Sequence, residues 1–169
     1  PRGRYWQGGV WPGTNYMVIT GLDKKGYTKQ AKEIANNHYN QVFQVYKDTG
    51  TFWEYYAPEA TEPGFMARKE FVGWTVLPPI AVFIEYILGV RSDYSNNSLV
   101  WDITQTEAHG IERYPFGPDG VVSLNTTKRR SADEVPSVTI ESNVDFELTL
   151  HWGKDKTKKV NVKKGTQTI

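Results

Sequence analysis

The hydrophobic pattern of this 169-residue chain changes its period at about Asn97. Before that point, apolar residues recur every three or four positions, which is the spacing of amphipathic helices. After it, apolar and polar residues alternate in short runs, which is typical of strands. We therefore expect a helical domain over residues 1–95 and a β-rich appendage over residues 96–169.

The clearest predicted helix runs from Thr28 to about Lys47. Thr28 is a suitable N-cap, and Gly50 is a suitable residue to stop the helix. Three- and four-residue spacing predicts one buried face. That face would carry Ala31, Ile34, Ala35, His38, Tyr39, Val42, Phe43 and Tyr46.

Two further helices are predicted, one before and one after it. The first runs from Asn15 to about Lys24 and ends at Gly26, which makes the first fifty residues a helical hairpin. The other covers residues 73–86, which are mostly apolar. We expect this helix to break at Pro78 and restart at the next residue, because proline lacks an N–H and its ring clashes with the preceding turn.

Six short strands are predicted in the second region. The alternation is clearest over residues 146–152, where apolar side chains take every second position, as in a sheet with one face in water. The predicted strands cover residues 98–103, 110–116, 121–125, 138–141, 146–152 and 158–162.

Three aromatic segments that contain glycine lie beside the predicted helix ends, where loops carry function on a rigid scaffold. They cover residues 5–12, 50–58 and 71–74, and the middle segment places Glu54 among four aromatic rings. Aromatic rings offer flat apolar faces to sugars, and a carboxylate held between them can be desolvated and aimed for acid–base chemistry. The three segments together favour a sugar-binding cleft, whereas each one alone is equally typical of core packing.

Composition argues against several other classes of protein. The formal net charge is only +1, so neither nucleic acid nor an anionic membrane is an expected partner. The absence of cysteine excludes disulfides, a thiolate nucleophile and sulfur-ligated metal. No apolar run reaches the roughly 18–20 residues of a membrane-spanning helix. The chain also lacks a phosphate-loop motif, a serine nucleophile elbow and zinc-ligand spacing.

In this order, the three segments resemble the C-terminal part of the catalytic domain of glycoside hydrolase family 63 and its trehalase-like and mannosylglycerate-hydrolase-like relatives. Residues 4–16 are similar to that family's Tyr-Trp-Arg-Gly-Pro-Val-Trp-Pro segment, residues 51–59 to its Glu-x-Tyr segment, and residues 71–75 to its Phe-Ser-Gly-Trp helix start. The resemblance covers residues 4–90. Gln7 stands where many relatives have arginine, so details of sugar recognition are not carried over.

The resemblance implies that the chain forms the last helices of an (α/α)6 toroid, followed by the β-rich appendage. It also implies inverting hydrolysis of an α-linked gluco- or manno-configured oligosaccharide, which needs an acid and a base carboxyl group about 6.5–9.5 Å apart. Glu54 matches the family's general base. The general acid is expected in an earlier segment of a longer polypeptide, whose remaining catalytic domain would be this chain's partner. Glu59 and Glu62 are the alternative acids within the chain.

The resemblance also indicates which residues would contact sugar. No cofactor or protein-ligated metal is expected; enzymes of this kind can hold a structural calcium ion, but no calcium-loop motif is found here. The expected sugar-contacting residues are Trp6, Gln7, Gly8, Trp11, Trp53, Tyr55 and Trp74.

Two other interpretations of the sequence stay open. A non-catalytic carbohydrate-binding protein would use the same aromatic cleft for affinity alone. Stacking does not require a carboxylate at Glu54, whereas activation of water does. A purely structural helical domain with a β-sandwich appendage would bind no saccharide.

Overall fold

The computed structural model describes residues 3–71 and 73–169. The chain divides into two compact units, Pro1–Ile87 and Leu88–Ile169. The α-helices belong to the first unit, and eight β-strands belong to the second. The expected mainly α fold with a β-rich C-terminal appendage is therefore confirmed in its order of helices followed by strands.

The described residues of the first unit form three α-helices and a π-helical turn. Helix α1 spans Pro12–Lys24, helix α2 spans Thr28–Thr49, helix α3 spans Gly73–Val82, and the π turn covers Phe83–Ile87. Helix α1 begins earlier than predicted because Pro12 occupies its first position, where the missing N–H costs no helical hydrogen bond. Among the described residues, no helix has the length and apolar character needed to span a bilayer.

Helix α2 ends where the sequence predicts but begins differently. Gly50 adopts the left-handed conformation with φ of 71°, and its N–H donates to the Tyr46 carbonyl at 2.8 Å. Glycine takes this conformation without a steric penalty, so the helix stops there. At the other end, Tyr27 is the N-cap residue without a side-chain capping bond, and Thr28 is the first helical residue. The prediction that Thr28 is the N-cap is therefore wrong by one residue.

Helices α1 and α2 pack through a shared core that also includes α3 and the π turn. The alanines of α2 let the helices approach closely, and Ile19 of α1 is fully buried between them. The buried members of this cluster are Ile19, Ala31, Ala35, Val82 and Tyr86.

One apolar face of this unit stays open. Phe43 and Tyr46, predicted to face the core, remain 47% and 40% exposed. They belong to a groove of about 260 Å³ between α2 and α3, which we name the α2–α3 face. Its lining residues are Tyr39, Val42, Phe43, Tyr46, Phe52, Pro79, Ile80 and Phe83. The prediction of burial therefore fails for Phe43 and Tyr46, because no described segment covers them.

Helix α3 runs through Pro78 without the predicted break. Pro78 and Pro79 lie in the second half of the helix, and the bonds that their missing N–H groups remove are those to the carbonyls of Trp74 and Thr75 near its start. The irregularity occurs later, where the π turn Phe83–Ile87 widens the helix by one residue.

The second unit consists of two four-stranded sheets. The strands are β1 Val90–Asp93, β2 Ser98–Ile103, β3 His109–Phe116, β4 Gly120–Thr126, β5 Val138–Ser142, β6 Phe146–Trp152, β7 Lys156–Val162 and β8 Gly165–Thr168. One sheet has the order β1-β2-β6-β7 and the other β3-β4-β5-β8. The rings of Phe116 on β3 and Phe146 on β6 lie 5.3 Å apart, so the sheets face each other as a sandwich.

All six predicted strands are confirmed, with differences of at most two residues at their ends. Strands β1 and β8 were not predicted, because each is only four residues long and neither shows a clear apolar alternation. Strand β2 pairs parallel with β6, placing Ser98 opposite Glu147, while every other described strand pair is antiparallel.

Candidate active site

The predicted base lies in the loop that follows α2. The left-handed Gly50 turns the chain out of the helix, and Glu54 follows four residues later. Glu54 is buried, with 8% of its surface exposed. Its N–H donates to the Arg68 carbonyl at 2.9 Å, and Trp53 pairs with Lys69 in an isolated bridge. Within residues 3–71 and 73–169, no group donates a hydrogen bond to the Glu54 carboxylate, which leaves its oxygens available to a ligand or a water molecule.

The loop is tied to α2 by Tyr56. This residue is 1% exposed and packs with Val42 and Val45 of α2. Its hydroxyl accepts a hydrogen bond from the Trp53 N–H at 3.3 Å. Burial raises the pKa of Tyr56, so the hydroxyl remains protonated at neutral pH. Glu54 therefore sits in a turn whose two ends are held against the helix.

The first two aromatic segments are joined through their backbones. Val10 and Tyr56 exchange two hydrogen bonds, of 2.9 and 3.0 Å. A tight turn precedes Val10, in which the Gly9 N–H donates to the Tyr5 carbonyl at 3.1 Å and Gly8 has φ of 86°. The structure thus brings residues 5–12 against the Glu54 loop, as the sugar-cleft hypothesis requires.

The rings of Trp6, Trp11 and Tyr55 form what we name the aromatic stack. Trp6 stacks on Trp11 with centroids 4.2 Å apart and an interplanar angle of 16°. Trp11 stacks on Tyr55 at 5.1 Å and 27°. Trp74 of the third segment meets Trp11 edge-on at 6.2 Å. Trp11 therefore contacts aromatic residues from all three segments.

Beside this stack lies an open apolar cavity of about 420 Å³, which we name the tryptophan groove. Trp6 and Trp74 are each 61% exposed, whereas Trp11 is 4% exposed and forms its floor. This volume falls in the range of small-molecule sites, and the exposed indole faces can stack on sugar rings. The groove is lined by Trp6, Trp11, Gly13, Thr14, Met17, Trp74, Leu77 and Pro78.

The other expected sugar-contacting residues lie outside the groove lining. Gln7 and Gly8 are exposed in the tight turn. Trp53 packs against the cluster of Val42, and its indole N–H donates to the Thr49 hydroxyl at 3.0 Å. Tyr55 is buried beneath Trp11. The eight predicted site residues therefore lie in three places. Trp6, Trp11 and Trp74 line the groove, and Gln7 and Gly8 lie in the tight turn. Trp53, Glu54 and Tyr55 lie in the loop after α2.

Several groove residues were not predicted. Met17 of α1 and Leu77 of α3 are 64% and 69% exposed, which is unusual for long apolar side chains. The sequence spacing could have indicated both residues, because Met17 lies one helical turn after Gly13 and Leu77 lies three residues after Trp74. The two residues of each pair therefore lie on the same face of their helix, next to an aromatic segment.

The two alternative acids are placed differently from Glu54. Glu59 is exposed and Glu62 is partly exposed. Both lie in a turn closed by the Ala57 N–H, which donates to the Glu62 carbonyl at 3.1 Å. Across the described ranges, no cluster of three or more His, Asp or Glu side chains is arranged to hold a metal ion.

His38, on the buried face of α2, is 5% exposed. Its Nδ1 lies 3.1 Å from the Asn15 amide nitrogen, which can only donate, so the ring proton resides on Nε2. Nε2 is buried and has no hydrogen-bond partner among the described residues. Burial lowers the pKa of His38 to about 4. His38 is therefore a neutral core histidine, and only one of its two ring nitrogens has a described hydrogen-bond partner.

Comparison with known families gives these features a context. Residues 1–75 match the mannosylglycerate hydrolase MGH1-like glycoside hydrolase domain. Residues 1–75 are therefore similar to this glycoside hydrolase domain. The resemblance expected from the three aromatic segments is confirmed, and the matched stretch contains Glu54 and the aromatic stack.

Individual relatives of the chain are glycosidases by name. A probable mannosyl-oligosaccharide glucosidase of Schizosaccharomyces pombe is 32% identical over 83 residues, covering 43% of this chain and 10% of the relative. Alpha-glucosidase 2 of Arabidopsis thaliana is 29% identical over 93 residues, covering 50% and 12%. Mannosylglycerate hydrolase MGH1 of Selaginella moellendorffii is 42% identical over 55 residues, covering 32% and 10%.

The chain thus spans about a tenth of the length of these curated relatives. No solved structure is significantly similar to it.

Proposed function

We propose that this chain is part of an inverting α-glycosidase in which Glu54 is the general base. The observation that carries the proposal is the burial of Glu54 beside the aromatic stack, without a described hydrogen-bond donor to its carboxylate. A carboxylate with a structural role is normally paired with a donor, whereas the Glu54 oxygens have no described donor and are not among the fully enclosed unpartnered atoms, so they reach solvent. A carboxylate that must take a proton from water needs its oxygens unoccupied in the free enzyme.

The chemistry assigned to Glu54 is removal of a proton from the attacking water. The water then adds to the anomeric carbon on the face opposite the leaving group, while a second carboxyl group protonates the glycosidic oxygen. That acid would be supplied by the rest of the catalytic domain and lie about 6.5–9.5 Å from Glu54, which leaves room for the water.

The tryptophan groove is proposed as a sugar subsite. Trp6 and Trp74 each expose 61% of their surface, and both border the buried Trp11. Aromatic rings supply large, flat apolar faces, which suit the flat faces of pyranose rings. The substrate class is an α-linked gluco- or manno-configured oligosaccharide, in keeping with the names of the relatives.

The remainder of the catalytic domain is proposed as the partner of the first unit. Helices α1 to α3 would be the last helices of an (α/α)6 toroid, and the α2–α3 face would pack against helices from the preceding part of the polypeptide. The apolar lining of that face supports this proposal, because an open patch of Phe43, Ile80 and Phe83 is costly to leave in water.

The testing experiment uses the parent polypeptide that carries this segment. Wild type and Glu54→Gln are incubated with α-linked gluco- and manno-disaccharides, and proton NMR records the first anomer released. Glu33→Gln, on the exposed side of α2, is the matched control. Glu59→Gln and Glu62→Gln test for an acid within the chain.

Wild type and Glu33→Gln are expected to release the β-anomer at equal rates. Glu54→Gln should lose at least 10²-fold in kcat, the usual contribution of a positioned base. Wild-type turnover in Glu54→Gln would remove Glu54 from the mechanism, and release of the α-anomer would rule out inversion.

A second candidate function is non-catalytic saccharide binding, which the exposed faces of Trp6 and Trp74 favour. Calorimetry distinguishes the two functions. Binding without turnover in the wild-type parent, unchanged in Glu54→Gln and lost in Trp74→Ala, would identify a binding protein.

A further inference from the structure

Tyr55 was expected to touch sugar, but its surroundings suggest a different task. We propose that Tyr55 is a positioning residue, which holds the loop of residues 64–68 against Glu54 and thereby fixes the direction of the carboxylate. This inference rests on the proposed function of Glu54 as a general base.

The ring of Tyr55 is enclosed on several sides. It is 2% exposed, stacks on Trp11 at 5.1 Å and meets Tyr5 edge-on at 5.8 Å. A Cβ atom added at Gly9 or at Gly64 would overlap the ring, so both glycines are needed to seat it. A ring seated in this way has no face left for a ligand.

The hydroxyl of Tyr55 is also engaged in a hydrogen bond. It donates to the Phe65 carbonyl at 2.6 Å, a short bond for a neutral donor. In return, the Gly64 N–H donates to the Tyr55 carbonyl at 3.0 Å. Tyr55 therefore binds the 64–68 loop with both its backbone and its side chain.

The far end of the same loop reaches the base. The Arg68 carbonyl accepts the Glu54 N–H at 2.9 Å, so the loop that Tyr55 holds is the loop that supports Glu54. Between these two contacts lies Met66 with φ of 62°, a conformation that non-glycine residues rarely adopt. A strained residue of this kind stays in place only where its neighbours fix it.

Loss of the Tyr55 hydroxyl should lower the catalytic rate more than the affinity for substrate. If the Tyr55 hydroxyl is removed, the loop loses the bond next to its strained residue, and Glu54 gains freedom to move. A base displaced by about 1 Å can lose about 10²-fold in rate. We expect Tyr55→Phe to lower kcat about tenfold and to change KM less than twofold, because the sugar-stacking faces of Trp6 and Trp74 are untouched.

The test is steady-state kinetics of the parent polypeptide, with Tyr55→Phe compared with Glu54→Gln and with Tyr27→Phe. Tyr27 is 56% exposed and lies between α1 and α2, which makes Tyr27→Phe the matched control. Circular dichroism and the melting temperature confirm that the variants are folded. A second variant, Gly64→Ala, pushes a methyl group toward the Tyr55 ring and should show the same loss of kcat.

A lower kcat with constant KM in Tyr55→Phe, absent from Tyr27→Phe, supports the inference. A raised KM with constant kcat would show that Tyr55 contacts substrate and overturn it. Wild-type kinetics in Tyr55→Phe, while Glu54→Gln is inactive, would overturn the positioning role and leave the proposed function standing. An active Glu54→Gln enzyme would overturn the proposed function and this inference with it.

Discussion

The hydroxyl of Tyr16 donates to the carboxylate of Glu85, lying 2.9 Å from one oxygen and 3.0 Å from the other. Tyr16 belongs to α1 and Glu85 to the π turn, so this contact joins the first helix of the unit to its last turn. Burial, the hydrogen bond and the charge of Glu85 together raise the pKa of Tyr16 to about 12.

Tyr16→Phe should reduce the free energy of unfolding by about 1 kcal/mol, because a hydrogen bond to a charged group is lost at a partly exposed site. The raised pKa means that the folded state holds this proton more tightly than the unfolded state. The contribution is complete below pH 10 and is lost between pH 10 and about 12. Urea unfolding at pH 8 and pH 11 measures both effects. An alkaline loss equal in wild type and Tyr16→Phe would contradict the assignment.

His38 should make the chain sensitive to mild acid. Its pKa is lowered to about 4 in the fold, so the unfolded state binds the proton first as the pH falls from 6.5. We expect a loss of about 2 kcal/mol between pH 6.5 and 4.5, at 1.36 kcal/mol per unit. His38→Phe, measured by urea unfolding across this range, should show a flatter acid limb. His151→Phe in the second unit serves as the control and should keep the wild-type slope.

Trp74→Ala should weaken saccharide binding without disturbing the fold. The indole is 61% exposed, and the loss of one stacked aromatic face corresponds to about tenfold in KM. Steady-state kinetics of the parent polypeptide would measure the change. Tyr94→Ala, at an exposed ring of the second unit, is the comparison variant. Equal KM values in the two variants would place the sugar elsewhere.

Arg129→Met should destabilise the second unit strongly. Arg129 is only 3% exposed, and its guanidinium donates to four backbone carbonyls at 2.8 to 3.0 Å. Its removal leaves buried acceptors without donors, at a cost of about 1–3 kcal/mol for each group that water cannot reach. Thermal unfolding of Arg129→Met and of the exposed neighbour Arg130→Met compares the two sites. Equal melting temperatures would show that water replaces the donors.

Local patterns predicted much of this fold. Helix α2 has a continuous apolar face and a glycine at its end, and strand β6 alternates apolar and polar residues, so each element is specified by its own sequence. The four acceptors of Arg129 could not be predicted in this way. They come from residues near 103 and 132, which are neighbours only in the folded chain. Strand β8, Gly165–Thr168, has no apolar alternation and exists because its backbone pairs with β5.

The candidate site was predictable in composition but not in arrangement. The three aromatic segments and Glu54 could be named from the sequence, since the middle segment places a carboxylate among four aromatic rings. The burial of Tyr55 could not be predicted, because it depends on Gly9 and Gly64 leaving space for its ring. The spacing of Met17 from Gly13 gave a signal for its helix face, but not for the groove, which forms only because α1 lies beside α3.

The parallel pairing of β2 with β6 has a consequence for biosynthesis. Ser98 and Glu147 are about fifty residues apart in the chain, so β2 emerges from the ribosome long before its central partner exists. Non-local pairing of this kind slows folding and leaves strand edges unprotected meanwhile. A polypeptide terminated before Phe146 would retain that exposed edge permanently. Expression of the first unit with only part of the second should therefore yield aggregates, whereas a cut at the boundary after Ile87 leaves no strand edge of this kind.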